Sequence, residues 1–421
     1  MRRILLFALA ALPLAAPLSA QRGRGSDLAP ARPLLGAAAD TNSAFTYYTH
    51  GVNTLDRSPR EAVASFYWAS RLNPGWGDAL YGEYVARLLT DHDRLVSYMR
   101  GQRGTLHSRE VQHIDSLFAQ ARTIDPLLAR KFDRTLLTTY LQTWAENEVR
   151  RDDPSGVNPA AIAHWIDTEV LRQDDYLKAW MAASQGRNAD AVSAYARAIN
   201  QARFKSGLRA DLARVHYQMG NFDTAIAAFQ QAIGEWRKEE GEDKIIILYQ
   251  SKAVLEHSIG VIQEERHDLA AAREAYGRAL QEDISYYPAH LRLSVLALQA
   301  GDTASALSEM DLAVQIRGDE PSLRMGYGRL LAGSRKYQEA EEQFKKAAEL
   351  DPDYAAPYLI LGRLYDGSGM REEALAQYRG YLVHAARNEV NVAPVAERVQ
   401  LLAVEAAPAP APAPTPPPAR R

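Results

Sequence analysis

Apolar and polar positions along this chain recur on two scales. Over short stretches apolar residues fall three and four apart, as in AAPYLILGRLYDGSGMREEALAQYRGYL near the C-terminal end. There Tyr358, Leu361, Gly362 and Tyr365 mark one amphipathic helix, Ala374 and Tyr378 mark the next, and Gly369 sits in the turn between them. On the longer scale this helix–turn–helix unit repeats, because the alanine of its second helix recurs every 34 residues at Ala272, Ala306, Ala340 and Ala374. Neither helix of such a unit can bury its apolar stripe alone. Neighbouring units complete the core, which predicts a stacked solenoid.

The same period divides most of the chain. Ala191, Tyr195 and Ala198, then Ala225, Phe229 and Ala232, are again 34 apart and define two units over 172–239. Four tandem units follow over 253–388. Between the two sets, Ala225 and Ala272 are 47 residues apart, 13 beyond one period, and the surplus falls in a charged insertion over 240–252. Residues 43–171 read as degenerate helical repeats: Phe45, Tyr48 and Gly51 in a first helix, then Ser58-Pro59-Arg60-Glu61 as a helix start with serine as its cap. Ala62, Phe66, Ala69 and Pro74 continue that unit, and Phe118, Ala121 and Pro126 repeat its spacing. DDPSGVN, Asp152 to Asn158, is the clearest internal loop, with Asn158 expected to cap a helix opening at Pro159. A helix over 389–405 is placed to cap the stack, and 406–421 is a Pro/Ala tail expected to be disordered or extended.

Residue size follows the same logic. Gly328 and Gly362 on first helices, and Ala340, Ala347 and Ala374 on second helices, are expected where helices cross closely. Leu361, Tyr365, Phe344, Tyr337 and Tyr378 are expected to fill the remaining core.

Composition narrows the functional classes. Forty-nine basic and 52 acidic residues give a net charge of -3, without the basic excess that a nucleic-acid partner requires. Cysteine is absent, which excludes disulfides, thiolate metal sites and a thiol nucleophile. Arg2 and Arg3, the apolar run Ile4 to Pro17, and Leu18-Ser19-Ala20 before Gln21 read as a signal peptide over 1–20. The apolar run is shorter than the roughly 20 residues a membrane span needs, and no later stretch qualifies. Residues 21–42, rich in Gly, Pro, Ala and Arg, read as a flexible leader. The expected location is periplasmic or secreted, in a bacterium.

The 34-residue pattern resembles the tetratricopeptide repeat family. The match is close for 355–388, good for 321–354 and 206–239, and fainter for 253–286, 287–320 and 172–205. Met310 stands where the pattern has an aromatic, Ala179 where it has the first-helix glycine, and Tyr381 where it has a small residue. The resemblance implies an all-α fold, a right-handed α-α superhelical solenoid of helix pairs, with a concave groove lined by first-helix positions. Carried onto this sequence, those positions are Tyr176, Trp180, Arg214, Tyr217, His257, Met325, Arg329, Leu359, Arg363 and Asp366, with Val261, Leu291 and Val295 among them. The implied function is a non-catalytic exported scaffold that binds a protein or an extended peptide in that groove. The alternative is a structural part of a cell-envelope assembly, held through lateral surfaces or the Pro/Ala tail.

Catalytic and cofactor motifs are missing. No HExxH, calcium loop, phosphate loop, dinucleotide glycine pattern or GxSxG occurs. The histidines are scattered singly, and the pair Asp152-Asp153 beside Arg151 is too small to hold a metal by itself. The expectation is no enzyme and no cofactor.

Overall fold

The computed structural model describes residues 30–100, 109–152, 157–239 and 251–405. The expected signal peptide, the charged insertion over 240–250 and the tail over 406–421 lie outside the described residues, as do residues 153–156 of the internal loop. Among the described residues all regular structure is helical.

The chain opens with an antiparallel pair, α1 (Ala44–Thr54) and α2 (Pro59–Leu72). Then come α3 (Gly77–Leu89), α4 (His92–Met99), α5 (Arg109–Ile124) and α6 (Asp133–Asp152). α7 (Pro159–Trp165) runs into one π-helical stretch, Ile166–Leu171. Regular pairs follow: α8 (Asp175–Ser184) with α9 (Asn188–Gln201), and α10 (Ser206–Gln218) with α11 (Phe222–Glu239). They continue with α12 (Lys252–Glu265) and α13 (Leu269–Glu282), then α14 (Tyr287–Gln299) and α15 (Thr303–Ile316). The last pairs are α16 (Pro321–Gly333) with α17 (Tyr337–Leu350), and α18 (Ala355–Gly367) with α19 (Arg371–His384). α20 (Val392–Glu405) packs on α19 through Val395 and Leu402.

The helix starts follow local chemistry. Asp91, Asn158, Asp174, Ser251, Asp268 and Asp302 each accept a backbone N–H of the first turn, as capping requires. Ser58 occupies the capping position of α2, yet its side chain makes no capping bond, so Pro59 and the acidic first-turn Glu61 define that start. Within a unit the two helices cross where a small residue faces a large one 16 positions on. A Cβ added to Gly260 would lie 2.3 Å from Tyr276, one on Gly328 2.5 Å from Phe344, and one on Gly362 2.5 Å from Tyr378. Ser294 and Met310 take the corresponding places in the α14–α15 pair, both buried. Tyr381, bulky at a normally small position, is buried and donates to Glu389, where α20 rather than another unit follows. Tyr337 departs from the expected core set. It opens α17 and is 53% exposed, because the first residue of a second helix lies at the turn edge of the stack.

The N-terminal third is irregular. α3 pairs with α2 on one side and α5 on the other, with α4 inserted between α3 and α5, and nearly every residue of α3 is buried. A continuous apolar core runs from Leu55 through Phe66, Tyr81, Phe118 and Tyr140 to Trp180. Its polar centre is the buried carboxylate of Asp133, which accepts from Tyr81 Oη and Trp180 Nε1 and pairs with Arg130 Nε at 2.7 Å.

This third turns back against the first helices of the later units. Leu127, after α5, is buried among Ala210, Ala213, Phe229, Leu255 and Ile259. Arg71 at the end of α2 pairs with Asp351 at 3.0 Å, and Arg32 pairs with Asp353 at 3.0 Å. Asn42 Nδ2 donates to the carbonyls of Val383 at 2.7 Å and Ala385 at 3.2 Å, and Asp40 accepts from the backbone of Arg387. Residues 30–42, expected as part of a flexible leader, therefore run as a docked strap. Trp68 Nε1 donates to the Pro30 carbonyl at 3.0 Å, and the Arg32 guanidinium lies 4.3 Å from the centre of the Trp68 ring.

Candidate functional site

The fold-back leaves a cavity of about 430 Å³ on the first-helix face. One wall consists of His257 and Val261 of α12, Leu291 and Arg292 of α14, and Ser322, Leu323 and Gly326 of α16. The facing wall comes from far upstream: Pro74 and Gly75 in the α2–α3 turn, and Ile124, Asp125 and Pro126 after α5. Gly75 has φ +88, a conformation that glycine adopts without a Cβ penalty, and it brings that turn close to Ser322. A volume of this size matches clefts that enclose small ligands or side chains.

The polar groups of the cavity are largely committed to the chain itself. Arg292 pairs with Glu264, Asp125 accepts from Leu127 N at 3.0 Å, and Glu320 accepts from Ser322 Oγ at 3.0 Å. His257 is the exception. Its ring is buried, lies edge-on between Tyr276 and Tyr286, and its Nδ1 has no hydrogen-bond partner. Burial, with a smaller contribution from the Arg292 charge, pushes its pKa down to about 3, so the ring is neutral at ordinary pH. Burial also raises the Asp125 carboxyl and lowers Arg292.

The structure scatters the ten sequence-derived groove residues. His257 alone among them lines the cavity, alongside Val261 and Leu291. Arg214 is buried, donates from Nε to the Pro126 carbonyl at 3.2 Å and pairs with Asp211 at 3.2 Å. Trp180 is buried against Asp133, and Tyr176 packs between Trp180 and Tyr195. Tyr217 donates to Glu265 at 2.7 Å. Met325 and Leu359 belong to the core around Phe344 and Tyr365 rather than to an open surface. Arg363 donates to Asn391 at 2.6 Å while staying exposed, and Asp366 is held by Arg398 at 2.7 Å, so the α20 region engages both. Arg329 is exposed, with no hydrogen bond or ion pair among the described residues. The repeat spacing marks Pro74 and Pro126 in decayed units, but it carries nothing of their placement opposite α12, α14 and α16.

Among the described residues no group of three or more His, Asp or Glu side chains could hold a metal ion. No helix among them is long and apolar enough to cross a membrane.

Family models described as tetratricopeptide repeat match residues 210–244, 259–321 and 331–390. These residues are thus similar to tetratricopeptide repeats. A TPR repeat-containing protein YpiA of Bacillus subtilis is 30% identical over 137 residues, covering 30% of this chain and 32% of that one. An uncharacterized protein of Haemophilus influenzae is 28% identical over 104 residues, covering 25% of this chain and 56% of the other. The matches thus span about a third and about half of these relatives' lengths. Among solved structures, yeast Tom70 aligns over 86% of this chain and 89% of its own with 12% identity and a TM-score of 0.41. Tetratricopeptide solenoids are characteristically non-catalytic protein-interaction modules.

Proposed function

We propose that the chain is an exported, non-catalytic scaffold that binds a protein partner on its first-helix face. The observation that carries the reading is the cavity between α12, α14 and α16, where Val261 and Leu291 stay partly exposed although the chain covers that face on either side of it. Towards α10 the cover is Pro126 and Leu127; towards α18 it is the Arg71–Asp351 and Arg32–Asp353 pairs. This supports insertion of a short segment and disfavours an extended peptide threaded along the whole groove. Export is proposed on residues 1–20 alone, whose basic start and apolar run have the form of a signal peptide.

The test is capture of partners from the envelope fraction by the mature protein, beside a Leu291→Glu variant of unchanged melting behaviour. Loss of specific partners from the variant supports the reading. Unchanged capture that instead depends on residues 43–171 or 406–421 moves the interaction to lateral surfaces or the tail. N-terminal sequencing of the expressed protein tests export, which fails if Met1 is retained in the cytoplasm.

A further inference from the structure

We propose that residues 30–42 and the C-terminal end of α2 form a releasable polar latch. Closed, it holds the last units of the solenoid against the N-terminal third; it opens while the other end of that contact stays shut. The inference goes beyond the partner-binding reading and does not rest on it.

The N-terminal third meets the later units at two ends of different chemistry. At the proximal end, towards α10, Leu127 is buried in an apolar cluster with Ala210, Phe229 and Ile259. The core of the third itself continues there into Leu177 and Trp180 of α8. At the distal end, towards α19, the apolar clusters stop on either side. The one around Tyr47 draws its residues from 35–79, and the one around Phe344 and Tyr378 from 307–402. Polar contacts cross between them. Arg71 lies 3.0 Å from Asp351 and 3.8 Å from Asp353, and Arg32 lies 3.0 Å from Asp353. Asn42 donates to the Val383 and Ala385 carbonyls, and Asp40 accepts from the Arg387 backbone.

The two ends respond differently to their surroundings. Arg32, Arg71 and Asp353 keep side-chain exposures of 34%, 28% and 25%, so their pairing is weak and is screened by salt. Burial of Leu127 is not screened. Between the two ends the stack is a chain of neighbour contacts, with separate apolar clusters joining α10–α13, α12–α14, α14–α16 and α16–α20. Small rotations at each interface add along such a stack, and the latch pins its curvature at the far end. Release lets α16–α20 swing from the N-terminal third, which draws Ser322 away from Gly75 and widens the cavity at that end.

The test is a pair of spin-label distances in the full chain, read by pulsed electron–electron resonance. The chain has no cysteine, so labels attach only where cysteines are introduced. Phe45→Cys and Val390→Cys, both exposed, flank the latch. Gln142→Cys of α6 and Gln230→Cys of α11, both exposed, report the proximal end. The first pair should give one short distance at low salt. A longer population should grow about tenfold relative to the short one in Asp351→Asn/Asp353→Asn, at unchanged helical circular dichroism. Salt near about 1 M should shift the unsubstituted latch in the same direction. The second pair should keep one distance throughout. Lengthening of the first pair in either arm, with the second unchanged, supports the latch. A first pair that ignores both arms overturns it, as does a second pair that lengthens too, because the whole third then leaves together. The salt arm needs no substitution in the latch, so a double variant that fails to fold leaves the test in force. Neither distance depends on capture of a partner, so this inference and the partner-binding reading fail separately.

Discussion

Arg214 and Pro126 stand 88 residues apart in the chain, and Arg214 Nε donates to the Pro126 carbonyl oxygen at 3.2 Å. A first-helix arginine that the repeat pattern assigns to an open groove is thus a buried fastener of the N-terminal third. Burial, opposed by the Asp211 charge and reinforced by that of Arg130, lowers its pKa, and its Nη2 has no hydrogen-bond partner.

Arg214→Ala should therefore destabilise the protein by about 2–4 kcal/mol, because Asp211 and the Pro126 carbonyl lose their donor in a buried place. Arg329→Ala, at the equivalent position of a later unit but exposed, should change stability by less than about 0.5 kcal/mol. Urea unfolding of both variants measures the contrast. Equal midpoints would show that the fold-back contributes nothing through Arg214.

The strap over residues 30–42 is held mainly by polar contacts at its distal end. Asp353 pairs with Arg32 at 3.0 Å and lies 3.8 Å from Arg71, all three partly exposed. Asp353→Asn should speed amide exchange over residues 34–43 by about fivefold, equivalent to ~1 kcal/mol, and salt near 1 M should do the same to the unmodified protein. Exchange rates that ignore both changes would mean the strap is held by its Trp68 contacts.

Two first-helix glycines, Gly326 of α16 and Gly362 of α18, should respond oppositely to alanine. Gly362→Ala drives a Cβ to 2.5 Å from the Tyr378 ring and should cost about 1–3 kcal/mol. Gly326→Ala finds only Met310 Cε at 3.8 Å and should be neutral or stabilising by up to about 1 kcal/mol, through helix propensity. Thermal unfolding of the two variants decides this. A tolerated Gly362→Ala would mean that the α18–α19 crossing is loose.

His257 gives the protein an acid-side liability. Its folded pKa, about 3, lies below the ordinary histidine value of 6.5, so the unfolded chain binds a proton that the folded one refuses. The contribution of the neutral ring is fully present above pH 6.5 and shrinks as pH falls from there towards 3. Between pH 6.5 and 5 the loss should be about 1–2 kcal/mol at this site, and His257→Phe should flatten that part of the stability–pH curve. Parallel curves for the two proteins would place the acid sensitivity elsewhere.

The period of 34, the helix pairs and the small residues at the helix crossings were legible in the sequence, because each depends on contacts within a unit or with its neighbour. The apolar periodicity, the cap at Asn158 and the small Gly362 at its crossing are all written within a few tens of residues. The tertiary structure alone decided what lies over the first-helix face. Arg214 with Pro126, Gly75 with Ser322, and Arg32 with Asp353 join positions up to 321 residues apart, through single carbonyls, turns and ion pairs that have no period. Such contacts depend on how far the stack curves and how the decayed N-terminal units turn. That geometry sums small rotations over every unit, and no one stretch of sequence encodes it.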